Sequence, residues 1–212
     1  MADVPEFGFE TEAPRHTAAY LRPAVMELLP PLPQGARLLD IGCGNGYWAG
    51  QFLTKGFTVV GIDPSAQGIA IARRVYAKAG AAARFEERLV TQTLLTDIGE
   101  RPFDLVISTE VVEHLYDPRT WARAAFAALK PGGRLICSTP YHGYLKNLAL
   151  SVAGKWDWHL KPLWDGGHIK FWSRDTLTQL LAEAGFVNIQ FKGAGRAPYM
   201  WMSMVLSGDR PA

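Results

Sequence analysis

The stretch Leu38-Leu39-Asp40-Ile41-Gly42-Cys43-Gly44-Asn45-Gly46 joins a short apolar run to a cluster of three glycines. An apolar run that stops at glycines is typical of a buried strand followed by a tight turn. Glycines let the chain turn sharply and bring backbone N–H groups close to a ligand at the start of the next helix. The stretch therefore predicts a strand, a ligand-binding loop and a helix in succession.

Strands and helices alternate along most of the chain. The predicted strands are 37–41, 57–62, 83–89, 103–108, 134–138, 186–191 and 200–206, and the predicted helices are 15–29, 47–55, 66–79, 118–129 and 174–184. This alternation predicts an α/β fold, with a mostly parallel sheet that helices cover on both faces. We expect a single domain over residues 1–212, with a loose N-terminus at 1–14 and an aromatic, lid-like insertion at 141–172.

The composition excludes several classes of protein. With 22 Lys and Arg against 20 Asp and Glu, the net charge is 22 − 20 = +2, too low for a nucleic-acid-binding protein. Cys43 and Cys137 are too few for a disulfide framework or a zinc site, which favours a reducing compartment. No apolar run reaches the roughly 18 residues of a membrane-spanning helix. We expect a cytoplasmic protein, and contact with a membrane surface stays open.

Two carboxylates indicate which ligand the glycine loop binds. Tyr47 stands where the dinucleotide-binding pattern G-x-G-x-x-G has its third glycine. Asp40 precedes the loop, where a carboxylate would repel a pyrophosphate but could hold an ammonium group. Asp63 ends the second strand and could accept hydrogen bonds from ribose hydroxyls. These features favour a ligand with a ribose and an amino-acid head over NAD, so an NAD-dependent oxidoreductase is the disfavoured alternative.

Further motifs follow in order along residues 15–140. They are Gly61-Ile62-Asp63, then Phe103-Asp104-Leu105-Val106-Ile107-Ser108, then Glu110-Val111-Val112-Glu113-His114, and finally Leu129-Lys130-Pro131-Gly132-Gly133. Together with the glycine loop, this set resembles class I S-adenosylmethionine-dependent methyltransferases. Through residues 110–114 it is most similar to the branch with ubiquinone-biosynthesis O-methyltransferases. The resemblance implies a seven-stranded Rossmann-like sheet whose last strand is antiparallel, and S-adenosyl-L-methionine as cofactor.

The resemblance also assigns residues to that cofactor. The backbones of Gly42 and Gly44 would line the methionine moiety, with Asp40 near its ammonium group and Asp63 at the ribose. Leu89 and Val90 would flank the adenine, although many relatives carry an acidic residue where Leu89 stands. His16 and Tyr20, at i and i+4, lie on an N-terminal helix that closes over the cofactor in similar enzymes. The remaining residues of the predicted cofactor site are Cys43, Tyr47, Pro64, Ser65 and Glu110.

The insertion at 141–172 is the predicted acceptor side. It holds four of the seven tryptophans and three of the five histidines. An aromatic segment with glycine hinges suits a lid over an apolar acceptor, and the alternative is a satellite core packed on the edge of the sheet. We expect methylation of a small molecule, by O-methylation of an apolar or aromatic hydroxyl compound. The alternatives are an N, S or C acceptor, or a non-catalytic protein that binds the cofactor to stabilise a partner.

A hydroxyl acceptor must lose a proton, which requires a general base. The candidates are His168, His142 and His114, in that order, because His168 follows a glycine turn that could direct it into the cleft. Glu110, Glu113 and His114 are close enough in sequence for a divalent metal, but their spacing fits a turn equally well and no metal is assigned. The aromatic and basic residues of 144–164 also permit docking on a membrane, which would suit a lipophilic acceptor.

Overall fold

A computed structural model describes residues 8–11, 13 and 16–212 of the chain. Its strands are β1 (Arg37–Ile41), β2 (Thr58–Asp63), β3 (Ala83–Glu87), β4 (Phe103–Thr109), β5 (Leu129–Pro140), β6 (Val187–Ala194) and β7 (Ser203–Asp209). They form one sheet in the order β3-β2-β1-β4-β5-β7-β6, in which β7 pairs antiparallel with both β5 and β6. The predicted seven-stranded sheet, with its last strand antiparallel, is confirmed.

Helices cover both faces of this sheet. They are α1 (His16–Glu27), α2 (Tyr47–Leu53), α3 (Ala66–Val75), α4 (Leu94–Asp97), α5 (Pro118–Ala128), α6 (Tyr144–Val152), α7 (Trp156–Leu160) and α8 (Arg174–Glu183). Several begin at a side chain that satisfies a free backbone N–H. Ser65 Oγ accepts from Gly68 N at the start of α3, and a carboxylate oxygen of Asp117 accepts from Thr120 N at the start of α5.

Some predicted boundaries are wrong, for local reasons. The helix predicted at 66–79 ends at Val75, because Tyr76 leaves the helical conformation, and the 3₁₀ helix Ala77–Ala82 follows. The strand predicted at 134–138 spans Leu129–Pro140, because Leu129 already pairs with Phe103 of β4. The helix predicted at 15–29 ends at Glu27, and its first residue lies outside the described residues, as do residues 1–7, 12 and 14 of the predicted loose N-terminus.

Successive residues of the central strands point to opposite faces of the sheet, so each face carries its own core. Leu39 of β1 packs with Trp121 of α5 and Leu181 of α8 on one face. Leu38 packs with residues of α1, α2 and α3 on the other. Because both faces are covered, the central strands read as continuous apolar runs, and polar residues concentrate where the strands end.

The carboxyl ends of β1, β2, β4 and β5 meet at one edge of the sheet. The antiparallel β7 brings its first residues to the same edge, because Ser203 pairs with Pro140 at the end of β5. We call this the carboxyl edge. It is where open parallel sheets bind their ligands.

Candidate functional site

The glycine loop is tied to the end of β2. The backbone N–H groups of Gly42 and Cys43 both donate to the carbonyl oxygen of Ile62, at 2.8 and 3.0 Å. The carboxylate of Asp63 accepts from Gly44 N at 2.9 Å and from Ser65 N at 2.8 Å. Asp63 therefore organises the loop itself.

Gly42 is required at its position for two reasons. Its φ of 80° lies in the left-handed region, which favours glycine. A Cβ atom there would also lie 2.3 Å from a γ-carbon of Val111, just beyond β4. This close approach brings the end of β4, and with it Glu110, next to the glycine loop.

Asp40 is a buried carboxylate without a partner. It is 1% exposed, and neither of its oxygens accepts a hydrogen bond from the described residues. Burial and the nearby charge of Asp63 raise the pKa of Asp40 to about 8. A carboxylate held in this way is stabilised by a cationic group. The site therefore fits the cofactor implied by the resemblance, which carries an ammonium group.

The other predicted cofactor residues differ in how exposed they are and in which element holds them. Cys43 and Ser65 are buried, and Tyr47 and Pro64 are half-buried beside the loop. Leu89 is 57% exposed just beyond β3, with Val90 half-buried after it. His16 and Tyr20 share α1, but His16 is exposed whereas the Tyr20 hydroxyl lies 3.1 Å from Ser203 Oγ.

A chain of hydroxyl and carboxyl groups starts at that tyrosine. Ser203 Oγ donates to one carboxylate oxygen of Glu110 at 3.1 Å, and Ser138 Oγ donates to the other at 2.8 Å. Glu110 has a φ of 55°, unusual for a residue other than glycine and a common mark of functional sites. Burial raises the pKa of Glu110 to about 7 and is the main cause that raises the pKa of Tyr20 to about 12. The chain joins α1 to the ends of β4 and β5.

Two of the three predicted bases lie together. The rings of His114 and His168 are 5.0 Å apart, and His114 Nδ1 lies 3.2 Å from the carbonyl oxygen of Gly167. Glu113 is fully buried beneath them, and Thr139 donates a hydrogen bond to one of its oxygens at 3.0 Å. Burial, followed by repulsion from His114, lowers the pKa of His168 to about 4. One ligand atom each of Glu113, His114 and His168 falls within 4.8 Å of the others, a group that could hold a metal ion.

His142, the other predicted base, lies in a different group. It is buried at the end of β5, with its ring 5.4 Å from His159 of α7 and 5.1 Å from Phe171. Burial, with repulsion from Lys146 next, lowers the pKa of His142 to about 4. The first group joins His114, which follows β4, to His168 of the 141–172 insertion, so the insertion closes against the carboxyl edge there. The second group lies within the insertion, next to its start after β5.

Sequence reasoning missed several residues near the site. The ring of Phe9 packs against Gly44 and Gly68, and the Asn45 amide donates to the carbonyl oxygens of Thr11 and Ala13 at 2.8 and 3.0 Å. Nothing in the sequence marks these N-terminal contacts. Lys146 has no sequence signal either, because α6 buries this lysine while Leu145 and Leu148 are exposed, the inverse of an ordinary surface helix.

A cavity of about 650 Å³ lies away from these residues, at the opposite edge of the sheet. Its lining includes the first residues of β1 and β2 and the side chains of Arg84 and Glu100. Arg37 and Arg84 both form ion pairs with Glu100 there. Since these charges are already matched within the protein, the carboxyl edge is the better candidate for chemistry.

A family model described as a methyltransferase domain matches residues 14–191. A ubiquinone biosynthesis O-methyltransferase of Cereibacter sphaeroides is 37% identical over 178 residues, which cover 82% of this chain and 70% of the relative. One of Dinoroseobacter shibae is 39% identical over 162 residues, which cover 76% of this chain and 63% of the relative.

Among solved structures, an S-adenosylmethionine-dependent methyltransferase from Mesorhizobium loti superposes with a TM-score of 0.69. It is 22% identical in sequence, and the match covers 90% of this chain and 97% of that one. This likeness agrees with the sheet order described above.

Proposed function

Because this chain belongs to the S-adenosylmethionine-dependent methyltransferase family, we propose that it methylates a hydroxyl group of a small apolar or aromatic molecule. Relatives at 37% and 39% identity that are named O-methyltransferases support a hydroxyl acceptor. The observation that carries the proposal is the presence of neutral histidines at the carboxyl edge, where the glycine loop also lies. Removing a proton from a hydroxyl requires such a base.

The protein holds the methyl donor through the glycine loop. S-adenosylmethionine supplies a methyl group that is already activated on a sulfonium, so the protein contributes mainly alignment and exclusion of water. Asp40 would pair with the ammonium group, the backbones of Gly42 and Gly44 would line the methionine part, and Asp63 would face the ribose. Leu89 and Val90 remain the proposed neighbours of the adenine.

His168 is the proposed base. Its low pKa keeps it unprotonated at neutral pH, so a ring nitrogen can accept the hydroxyl proton as the methyl group is transferred. The His114 ring packs against it, and the Glu113 carboxyl lies 4.0 Å from His114 Nε2. His142 and His114 are the second and third candidates.

Replacing the histidines one at a time tests these roles. We expect His168→Gln to lower kcat at least tenfold while the affinity for S-adenosylhomocysteine, measured by calorimetry, stays within about twofold, a loss in the usual range for a general base. His142→Gln and His114→Gln are made in parallel. Unchanged turnover in His168→Gln removes His168 from the chemistry, and a larger loss in another variant transfers the role to that residue.

A screen of acceptors tests the substrate class. Release of S-adenosylhomocysteine is measured with phenols, amines, thiols and activated carbon acids under identical conditions. We expect turnover with apolar aromatic hydroxyl compounds. Turnover with amines or thiols alone would contradict O-methylation. No turnover with any class, alongside tight cofactor binding, would favour the non-catalytic alternative.

We also propose that α6 docks on an anionic membrane surface. Tyr144, Leu145, Leu148 and Val152 are exposed on this helix, and the exposed Lys155 follows it. An apolar helix face beside lysines is the pattern of helices that lie in the plane of a membrane surface. No helix within the described residues is long and apolar enough to cross a membrane.

Vesicle flotation tests this docking. We expect the protein to float with vesicles containing phosphatidylglycerol, and Leu145→Ser with Leu148→Ser to abolish flotation without lowering turnover on a water-soluble acceptor. The matched control is Val187→Ser on β6, which removes an apolar side chain of similar exposure away from α6. Failure of the unmodified protein to float would overturn the docking proposal and leave the proposed reaction untouched.

A further inference from the structure

Lys146 is a buried cation at the carboxyl edge. It is 7% exposed, and its Nζ donates to the carbonyl oxygens of Tyr141 at 2.7 Å and of Met202 at 3.2 Å. An ammonium group has three N–H donors, so one remains beyond these two contacts. Both partners are neutral, so they satisfy hydrogen bonds without balancing the charge. A buried charge that is not balanced is costly unless a ligand supplies the opposite charge.

Other positive groups surround Lys146. Burial, followed by the positive charge of Arg196 in the connection between β6 and β7, lowers the pKa of Lys146 to about 8. The pKa of His159 is also lowered, by burial first and then by the positive charges of Lys146 and Arg196. Within the described part of the chain, neither Lys146 nor Arg196 forms an ion pair with a carboxylate. Glu110 is the acidic group that acts on Lys146, but it forms no ion pair with it. Burial raises the pKa of Glu110 to about 7, so this carboxyl balances the charge of Lys146 only in part.

A second buried polar atom in the same place lacks a partner. His142 is 8% exposed, and its Nε2 has no hydrogen-bond partner among the described residues. His142 directly follows Tyr141, whose carbonyl Lys146 contacts. Buried polar atoms of this kind are normally satisfied, so a ligand group is a ready explanation.

These groups lie beside the proposed methyl-transfer site. Lys146 contacts the carbonyl of Met202, and the next residue, Ser203, donates to Glu110. Glu110 in turn precedes Val111, which packs against Gly42 of the glycine loop. A ligand group bound at Lys146 would therefore belong to the acceptor.

We propose that the acceptor carries an anionic group, such as a carboxylate, which Lys146 binds together with His142 and Arg196. This inference rests on the proposed function and narrows its acceptor class. The acceptor would then combine an anionic group, bound at Lys146, with the apolar or aromatic part that carries the hydroxyl. Charge-assisted hydrogen bonds in a buried site give strong discrimination against a neutral analogue.

A matched pair of probes tests the proposal. Binding of 3,4-dihydroxybenzoate and of the uncharged 3,4-dihydroxybenzamide to the protein loaded with S-adenosylhomocysteine is measured by calorimetry. We expect the benzoate to bind at least about tenfold more tightly, as expected for a hydrogen bond to a charged group. Lys146→Met should remove this preference, and Lys146→Arg should restore part of it. Arg196→Met, at an exposed position, should weaken the preference without risk to folding.

Lys155→Met is the control, since it removes an exposed lysine of the same insertion and should leave the preference intact. Equal affinities of the two probes for the unmodified protein, or no binding of either, overturn the proposal. So does a preference that survives both Lys146→Met and Arg196→Met. Measuring the release of S-adenosylhomocysteine distinguishes failure of the anion site from failure of the proposed function. Equal turnover of both probes would support O-methylation and contradict the anion site. A binding preference without turnover leaves the anion site standing without O-methylation of these probes.

Discussion

Asp40 is placed where a charge is unfavourable until a ligand arrives. The strand that carries it is buried on both faces, and neither carboxylate oxygen has a partner among the described residues. In the ligand-free protein Asp40 is protonated at neutral pH, because its pKa is raised to about 8. The same residue that destabilises the empty protein at higher pH therefore becomes a strong point of attachment for a cation.

Replacement of Asp40 should separate stability from binding. We expect Asp40→Asn to weaken binding of S-adenosylhomocysteine by about 10- to 100-fold, since hydrogen bonds to charged groups contribute most. The ligand-free variant should unfold at a higher temperature than the unmodified protein, and by a larger margin at pH 9 than at pH 6. Calorimetry and thermal unfolding measure the two effects. Asp97→Asn, at an exposed aspartate, is the control, and a variant that binds normally would contradict the role of Asp40.

Ligand binding should release a proton from Asp40. The ammonium group pairs with the carboxylate form, which is the minor form at pH 7 when the pKa is about 8. The heats of binding measured at pH 7 in two buffers of different ionisation enthalpy should therefore differ. The difference should correspond to the release of nearly one proton per ligand bound. The difference should disappear in Asp40→Asn. An identical heat of binding in both buffers would show that Asp40 is already ionised.

Among the elements, α5 holds the end of β4 in place. The indole Nε1 of Trp121 donates to Ser108 Oγ at 3.1 Å, and Ser108 Oγ donates to the carbonyl of Ile41 at 2.9 Å. This links α5 through β4 to the strand that leads into the glycine loop. Trp121 is fully buried, so its packing fixes the position of the end of β4 relative to α5.

The start of α5 offers a measurable test of that support. Asp117 caps the helix through Thr120, so we expect Asp117→Ala to lower the free energy of unfolding, because the N–H of Thr120 then loses its partner. Asp117→Ser should retain most of the stability, because serine can cap in the same way. Urea unfolding of the three proteins measures this. Equal stability of the alanine variant would mean that α5 begins independently of Asp117.

The sequence predicted the strands that are buried on both faces and the helices that are buried on one face. Strands 37–41 and 103–108 were predicted to within one residue, because a fully buried strand needs an unbroken apolar run. The helices of the insertion were not predicted, because α6 exposes leucines and buries Lys146, which opposes the usual pattern. Asp40 could be predicted as a site residue because it sits in a motif. Lys146 and Phe9 could not, because only the tertiary fold brings them there.

Over the whole molecule, buried ionisable groups give opposite dependences of stability on pH. Burial raises the pKa values of Asp40, Glu110 and Glu113, so these carboxyls favour the folded state at low pH and lose that contribution as pH rises through their folded pKa values. Burial lowers the pKa values of His142 and His168, which stabilise the folded state only above the pKa of an unfolded histidine. Below about pH 6.5, the ordinary pKa of histidine, the two sets oppose each other.

We therefore expect the ligand-free protein to lose stability between pH 6.5 and pH 7.5, where the carboxyls titrate while Lys146, with a pKa of about 8, is still mostly protonated. Urea unfolding at the two pH values measures the change. Asp40→Asn should reduce the loss, since one of the titrating carboxyls is then absent. Constant or rising stability over this interval would show that these carboxyls are ionised at neutral pH in the folded protein.

The connection between β6 and β7 has a consequence for how such a protein diversifies. It spans residues 195–202 and is closed by the pair Ala194 and Ser203, with Met202 N donating to the carbonyl of Ala194 at 2.9 Å. Its ends are fixed by the sheet, whereas β1 and β2, which carry the proposed methyl-donor site, lie on the other side of β4. Insertions or randomised residues in this loop can therefore retune which molecule is accepted while the donor half stays intact. A combinatorial library confined to 195–202 is the natural route to new acceptors on this scaffold.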